Sequence, residues 1–421
     1  VWGREMVVTV EGDLVKSITG KFRGISAPID VDAKLNREQI STLVIDHLKN
    51  IETVPPTLTT FEEGIFIMAN IPMHAYKAIA VLPDQRKWEM YFSPATQKLI
   101  TKIPQFYHAS IASSGTDLQG VMRNFNSYKQ NGIYLLRDIS FPDGTDTKIG
   151  NWDISDSYPY ISSSSPSSGW DQAGVSAHHN AQESYDYFLS THNRSSYDDD
   201  GAGLIAIVNM TGESVDNAYW SEGGMYYGAG EVFSNLAVAK DVAAHEFVHG
   251  VVRHSSNLKY QNQSGALNES FADFFGMMVD RDDWYMGEEL FGGNNYLRSM
   301  SNPSSKGDPE HFSSYLNLPL DIDHGGVHAN SGIQNRALYL IAEGLSLEGT
   351  GTSIGKEKTE ILAYATLLKL AEDAEFIDSA ITMILEAESR YGAGSVEALA
   401  VSEAWNQVGV VQATVVKKEG E

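Results

Sequence analysis

The chain has 421 residues, 42% hydrophobic and 20% charged, which is the balance of an ordinary folded protein with room for two or three domains. Its 30 Lys and Arg stand against 55 Asp and Glu, and the resulting charge of −25 argues against a nucleic-acid or anionic-membrane partner. The absence of cysteine removes disulfides, thiol catalysis and Cys-ligated metal together, and no apolar run reaches the roughly 18 residues of a membrane span. Residues 1 to about 105 mix short β-type runs, such as 6–10 and 78–82, with one helical stretch over 36–49. A small α+β unit is expected there, with no catalytic cluster. From about 106 to 235 the chain is rich in Gly, Ser, Asn, Tyr and Asp and favours short strands and turns. The Ser/Pro run 162–168 is its clearest loop, and 177–189 its one helix. From about 237 helical periodicity dominates, over 239–252, 266–281, 332–343, 356–371, 378–391 and 395–408. No internal repeat is visible. The fold class is therefore α+β, a β-rich part followed by an α-helical part.

His245-Glu246-Phe247-Val248-His249 lies on the first of these later helices. Residues four apart share a helical face, so His245 and His249 can present two imidazole nitrogens to one ion. Glu246 projects beside them, placed to act on a bound water instead of on the metal. Zinc accepts such donors and needs a third protein ligand. Asn268-Glu269-Ser270-Phe271-Ala272-Asp273 offers a carboxylate on the next helix, with Glu269 and Asp273 again four apart. Glu269 can complete the metal set while Asp273 orients an imidazole from behind. Taken alone, the same pair suits a solvated acidic face.

Three segments, His245-Glu246-x-x-His249, Tyr260-Gln261-Asn262-x-Ser264-Gly265-Ala266-Leu267-Asn268-Glu269 and Gly325-Gly326-Val327-His328-x-Asn330-Ser331-Gly332, resemble the thermolysin family of zinc metalloendopeptidases in order and spacing. The resemblance covers roughly 106 to 410. It implies a two-lobed catalytic unit, with a β-rich lobe over 106–250 ending in the zinc helix, an α-helical lobe over 251–410 and a tail over 411–421. It further implies His245, His249 and Glu269 as zinc ligands, Asn268 and Asp273 behind them, and Glu246 as general base on the zinc-bound water. Tyr260 and His328 match the donors to the developing oxyanion, with Asp323 holding His328. Asn217-Ala218-Tyr219-Trp220 matches the edge segment that pairs with an extended peptide, and Arg298 the residue that binds beyond the scissile bond. Phe233, Leu236, Val242, Met286, Leu290 and Leu297 fall where the family lines an apolar specificity pocket, which selects a large apolar side chain just after the cut. For some of the six, plain core packing is the alternative.

Asp241, Asp280, Asp283 and Glu288 match the family's structural calcium site, one or two ions, with Asp280 in place of a longer Glu. A second calcium loop is not expected at 290–296, which lacks the acidic ligand. Arg253, one turn after His249, stands where the family often has an acid. Residues 1–105 resemble the C-terminal part of the family's propeptide, with residues 88–92 pairing with 95–100 as its closing hairpin and a self-processing cut at Gln105–Phe106. The expected protein is a secreted monomer, its export signal already removed, acting on protein or peptide substrates with its own propeptide as partner. A zinc exopeptidase and a non-catalytic interaction protein on the same fold are the alternatives.

Overall fold

A computed structural model of the chain describes residues 6–11, 14–20, 33–48, 56–68, 71–81, 87–105, 110–139, 145–149, 159–344 and 353–411. It divides into two compact units, Val1–Ala109 and Ser110–Glu421. In the first, β1 (Met6–Glu11) and β2 (Leu14–Gly20) form a hairpin. Helix α1 (Arg37–Leu48) follows, opened by reciprocal bonds in which Gln39 N–H donates to Asn36 Oδ1 and Asn36 N–H to Gln39 Oε1, both 2.9 Å. Strands β3 (Thr57–Met68), β4 (Ile71–Val81), β5 (Lys87–Ser93) and β6 (Lys98–Gln105) make an antiparallel sheet in chain order. Ile40, Val44 and Leu48, spaced one helical turn apart, pack on the alternating Ala78, Ala80, Trp88 and Met90. The closing hairpin is present with a correction: Ala95 and Thr96 lie in the turn, and Tyr91 pairs with Thr101. The expected cut lies outside the described residues from Phe106 onward.

The second unit opens with β7 (Ile111–Thr116), β8 (Met122–Gln130) and β9 (Ile133–Leu135), then β10 (Arg137–Asp138) and β11 (Thr145–Ile149). β12 (Ser162–Ser163) pairs with β9, so the first two residues of the expected Ser/Pro loop are strand. Helix α2 (Gln172–His192) is longer than expected because Asp171 accepts from Gly174 N–H at its start and Asn193 takes a left-handed conformation at its end. β13 (Leu204–Met210), β14 (Ala218–Ser221) and β15 (Gly224–Gly228) complete a mixed five-stranded sheet of order β10-β11-β13-β15-β14, which leaves β14 at an edge.

Helix α3 (Lys240–Arg253) and helix α4 (Asn262–Asp280) come next, then a small pair, β16 (Tyr285–Met286) and β17 (Arg298–Ser299). Helices α5 (Asp323–Glu343), α6 (Lys356–Leu367), α7 (Phe376–Tyr391) and α8 (Val396–Gln407) finish the unit. The β-rich and helical parts share one core, in which Phe188, Phe247, Phe271, Phe274 and Phe275 are fully enclosed. Burial of such rings, worth about 1.5–3 kcal/mol each, fixes α3 and α4 against each other and so positions whatever they carry.

Candidate metal centre

Helix α3 is buried along nearly its whole length, which leaves its imidazoles little freedom. His245 Nε2 and His249 Nε2 approach to 3.0 Å, and Glu269 from α4 sends Oε2 to 3.4 Å from the first and Oε1 to 3.5 Å from the second. Donors about 2.0–2.1 Å from a tetrahedral zinc lie about 3.3–3.4 Å from one another, so the three fit such an ion. Glu269 is fully buried and its Oε2 has no hydrogen-bond partner, which leaves a lone pair facing the triad. Among the described residues this is the one group of three or more metal-type side chains gathered closely enough to share an ion.

The rings are held from behind. Asn268 Oδ1 lies 2.8 Å from His249 Nδ1, so an Nδ1–H donated there leaves Nε2 bare for a metal. Asp273 Oδ1 lies 2.9 Å from His245 Nδ1. Asp273 also accepts from Arg298 Nε at 2.9 Å, Arg298 Nη2 at 2.6 Å and Asn335 Nδ2 at 2.8 Å. Burial works to protonate both carboxylates. It is outweighed at Glu269 by His328, His249 and His245, and at Asp273 by Arg298 and His245, so both stay well below the usual range. Burial also disfavours a charged His245, yet Asp273 and Glu269 overcome it and hold the ring up at about 10. Protons and a metal therefore compete for the same nitrogens.

Tyr260 donates its hydroxyl to Glu269 Oε1, and its Oη lies 3.2 Å from His328 Nε2. Burial first, then the charge of Glu269, push the Tyr260 hydroxyl up, so it remains a donor. His328 is on the first turn of the regular part of α5, which starts earlier than the expected residue 332. Asp323 starts it by accepting from His328 N–H at 3.0 Å, and holds Nδ1 of the same ring at 2.5 Å. Between them Gly325 and Gly326 take φ of 89° and 84°, and a Cβ at Gly325 would stand 2.2 Å from Asn262 Oδ1. The glycine pair thus lets the chain turn back tightly enough for Asp323 to reach His328.

These groups line a cleft of about 660 Å³ whose walls include Asn217, Ala218, Trp220, Glu246, Arg253 and Tyr260. Glu246 is buried and reaches the wall one residue after His245. The edge strand β14 is seated against α3: a Cβ at Gly250 would come within 2.6 Å of the Trp220 ring. The six apolar residues expected in a specificity pocket differ in burial. Leu236, Val242, Met286 and Leu290 are buried in the core, Phe233 and Leu297 pack half-buried against it, and none lines the cleft. Arg298 is likewise absent from the wall, its guanidinium being engaged by Asp273.

The expected calcium residues gather at the start of α3. Asp241 accepts from Gly287 N–H at 2.5 Å and Val242 N–H at 2.7 Å. Burial, then Glu289, Glu288 and Asp280, raise its carboxyl far above the usual range. Glu288 is pushed up to about 7 by burial and by Glu289, Asp283 and Asp280. Glu288 Oε2 and Glu289 Oε2 are buried without partners, whereas Asp280 is bound by Lys240 at 2.8 Å. Glu289 and Asn335 join these clusters without having been singled out. Glu289 directly follows Glu288 in sequence, but Asn335 leaves no signal beyond a polar residue on a buried helix face.

Two family models match the second unit: the catalytic domain of thermolysin metallopeptidases over residues 112–253 and their alpha-helical domain over 256–410. Bacillolysin of Bacillus amyloliquefaciens is 38% identical over 340 residues, 78% of this chain and 63% of that protein. Bacillolysin of Brevibacillus brevis is 36% identical over 428 residues, 97% of this chain and 80% of the relative. Among solved structures, the precursor of protealysin, a metalloproteinase from Serratia proteamaculans, superposes with a TM-score of 0.56 at 33% identity, over 63% of this chain and 87% of the other.

Proposed function

This chain belongs to the thermolysin family of metallopeptidases, and from that premise we propose that it is a secreted zinc endopeptidase cutting on the N-terminal side of large apolar residues. One observation carries this: His245, His249 and Glu269 converge at tetrahedral spacing, with Glu246 on the wall of the same cleft. The three would hold zinc, with Asn268 and Asp273 fixing the rings. Bound zinc supplies a Lewis acid that polarises the scissile carbonyl and brings the pKa of water toward neutrality. Glu246 accepts the proton of the attacking water and returns it to the departing amine. Tyr260 Oη and His328 Nε2 donate to the carbonyl oxygen as negative charge grows there, and Asp323 orients the His328 ring.

The open edge of β14, with Asn217, Ala218 and Trp220, pairs with an extended peptide as an added strand. Half-buried Phe233 and Leu297, backed by Leu236 and Val242, support the apolar preference after the cut bond. Arg298 meets the residue beyond it while holding Asp273. Structural calcium, one or two ions, is assigned to Asp241, Asp280, Asp283 and Glu288. Its support is the mutual repulsion of these acids and the partnerless Glu288 oxygen, while Lys240 on Asp280 favours one ion. The first unit is assigned as a propeptide removed by self-processing. Secretion rests on the family resemblance.

Zinc-loaded protein should hydrolyse casein. A zinc chelator should abolish this, and Glu246→Ala should lower the rate by about 10²–10⁴-fold. Cleavage of free-amino-terminal dipeptides alone would establish an exopeptidase, and no cleavage at all a binding protein.

A further inference from the structure

Arg253 ends helix α3, exposed, on the wall of the cleft that carries the metal-type residues. Among the described residues it has no ion pair and no side-chain hydrogen bond. Lys259, the other long cation on the same wall, is already tied to Glu372 at 3.0 Å. In a chain of net charge −25, an unpartnered guanidinium facing a substrate cleft calls for an occupant.

Order along α3 gives its place. Val242, behind the apolar residues, comes first, the metal-type pair His245 and His249 next, and Arg253 last. At about 1.5 Å of rise per residue, its Cα lies about 6 Å past His249, on the side away from Val242. An extended peptide advances about 3.3 Å per residue. With apolar recognition after the scissile bond, the long Arg253 side chain reaches one of the three residues before it. Trp220 of β14 sits on Gly250, less than one turn earlier on the helix, so the edge strand runs past this position too.

We propose that Arg253 is a specificity-determining residue that selects an acidic side chain within the three substrate residues preceding the cut bond. This rests on the endopeptidase reading above. Asp or Glu there pairs with the guanidinium through charge-assisted hydrogen bonds, whereas Lys or Arg is repelled. Repulsion between the acidic protein and an acidic substrate acts at long range and is screened by salt, so the group in contact decides the preference.

The test uses the full chain loaded with zinc and one quenched fluorescent peptide with a single Phe after the cut. Glu, Gln or Lys is placed in turn at each of the three preceding positions, and kcat/KM is compared for the parent, Arg253→Gln and Arg253→Glu. The parent should favour Glu over Lys at one position by about two- to fivefold, the range for an exposed ion pair. The ratio should shrink at high salt, fall toward one in Arg253→Gln and invert in Arg253→Glu. Each ratio is internal to one variant, so altered folding does not mimic it. Hydrolysis with a Glu-to-Lys ratio that Arg253→Glu leaves unchanged overturns the proposal and spares the endopeptidase reading. No hydrolysis of any peptide by the zinc-loaded parent overturns both.

Discussion

Two clusters of acid meet helix α3 little more than one turn apart, at His245 and at Asp241, and they behave in opposite ways. Beside His245 the two acids of α4 have cationic or donor partners: Asp273 meets His245, Arg298 and Asn335, and Glu269 meets three imidazoles and a phenol. Both acids are held below the usual range. Around Asp241 the carboxylates mostly meet one another, and burial raises Asp241, Glu288 and Glu289, Glu288 to about 7. The depth of burial is similar at Asp241 and Asp273, so depth does not decide ionisation; the partners do. The first cluster is charged and ordered before a metal arrives. The second crowds carboxyls whose ionisation burial opposes, which is the basis of the calcium proposal.

The sharpest way to break this contrast is to remove a partner at the first cluster. Arg298→Met leaves Asp273 buried with its guanidinium gone, and stability should fall by about 3–5 kcal/mol, read from denaturant unfolding. A loss under about 1 kcal/mol, no more than an exposed ion pair gives, would mean that Asp273 is sustained by His245 and Asn335 alone. Next in size, Asp273→Asn frees the His245 ring, and zinc affinity by competitive chelation should drop about 10- to 100-fold. An unchanged affinity would place the ordering of the site elsewhere.

The second cluster should respond in the other direction. Asp241, Glu288 and Glu289 sit above their unfolded values, so the folded chain binds protons more tightly, and calcium-free stability should fall as pH rises from 4.5 to about 7. Glu288→Gln should flatten that fall and raise the calcium-free melting temperature at pH 8 by a few degrees. It should also erase most of the increment that calcium adds to the parent. A calcium increment of parental size in Glu288→Gln would remove this residue from the ion's ligands. Glu269 and Asp273, with lowered values, stabilise above the ordinary carboxylate range and lose that contribution only on acidification below it.

Much of this was legible in the residues, and for physical reasons. His245 and His249 follow a helical spacing that a buried helix preserves, while Glu269, on the next helix, is named from the family resemblance. Helix α5 could not be placed at its start, because Gly325-Gly326 reads as a loop. The fold uses the two glycines for a tight entry and lets Asp323 supply the missing cap. Apolar residues are the least decisive guide, because a pocket wall and a core use the same side chains, and Leu236, Val242, Met286 and Leu290 are buried. Arg298 was legible by position, but its bond to Asp273 spans 25 residues and depends on the packing of β17 beside α4. Asn335 lay farther still from any local pattern.

The contact between Trp220 and Gly250 has one more consequence. A ring edge rests on bare backbone, with no adjustable side chain between them. The distance from the edge strand β14 to the imidazoles is therefore set as a spacer of fixed thickness sets a gap, by van der Waals contact. A methyl group at residue 250 would act as a shim, moving Trp220 and its strand outward from the imidazoles while leaving those rings in place.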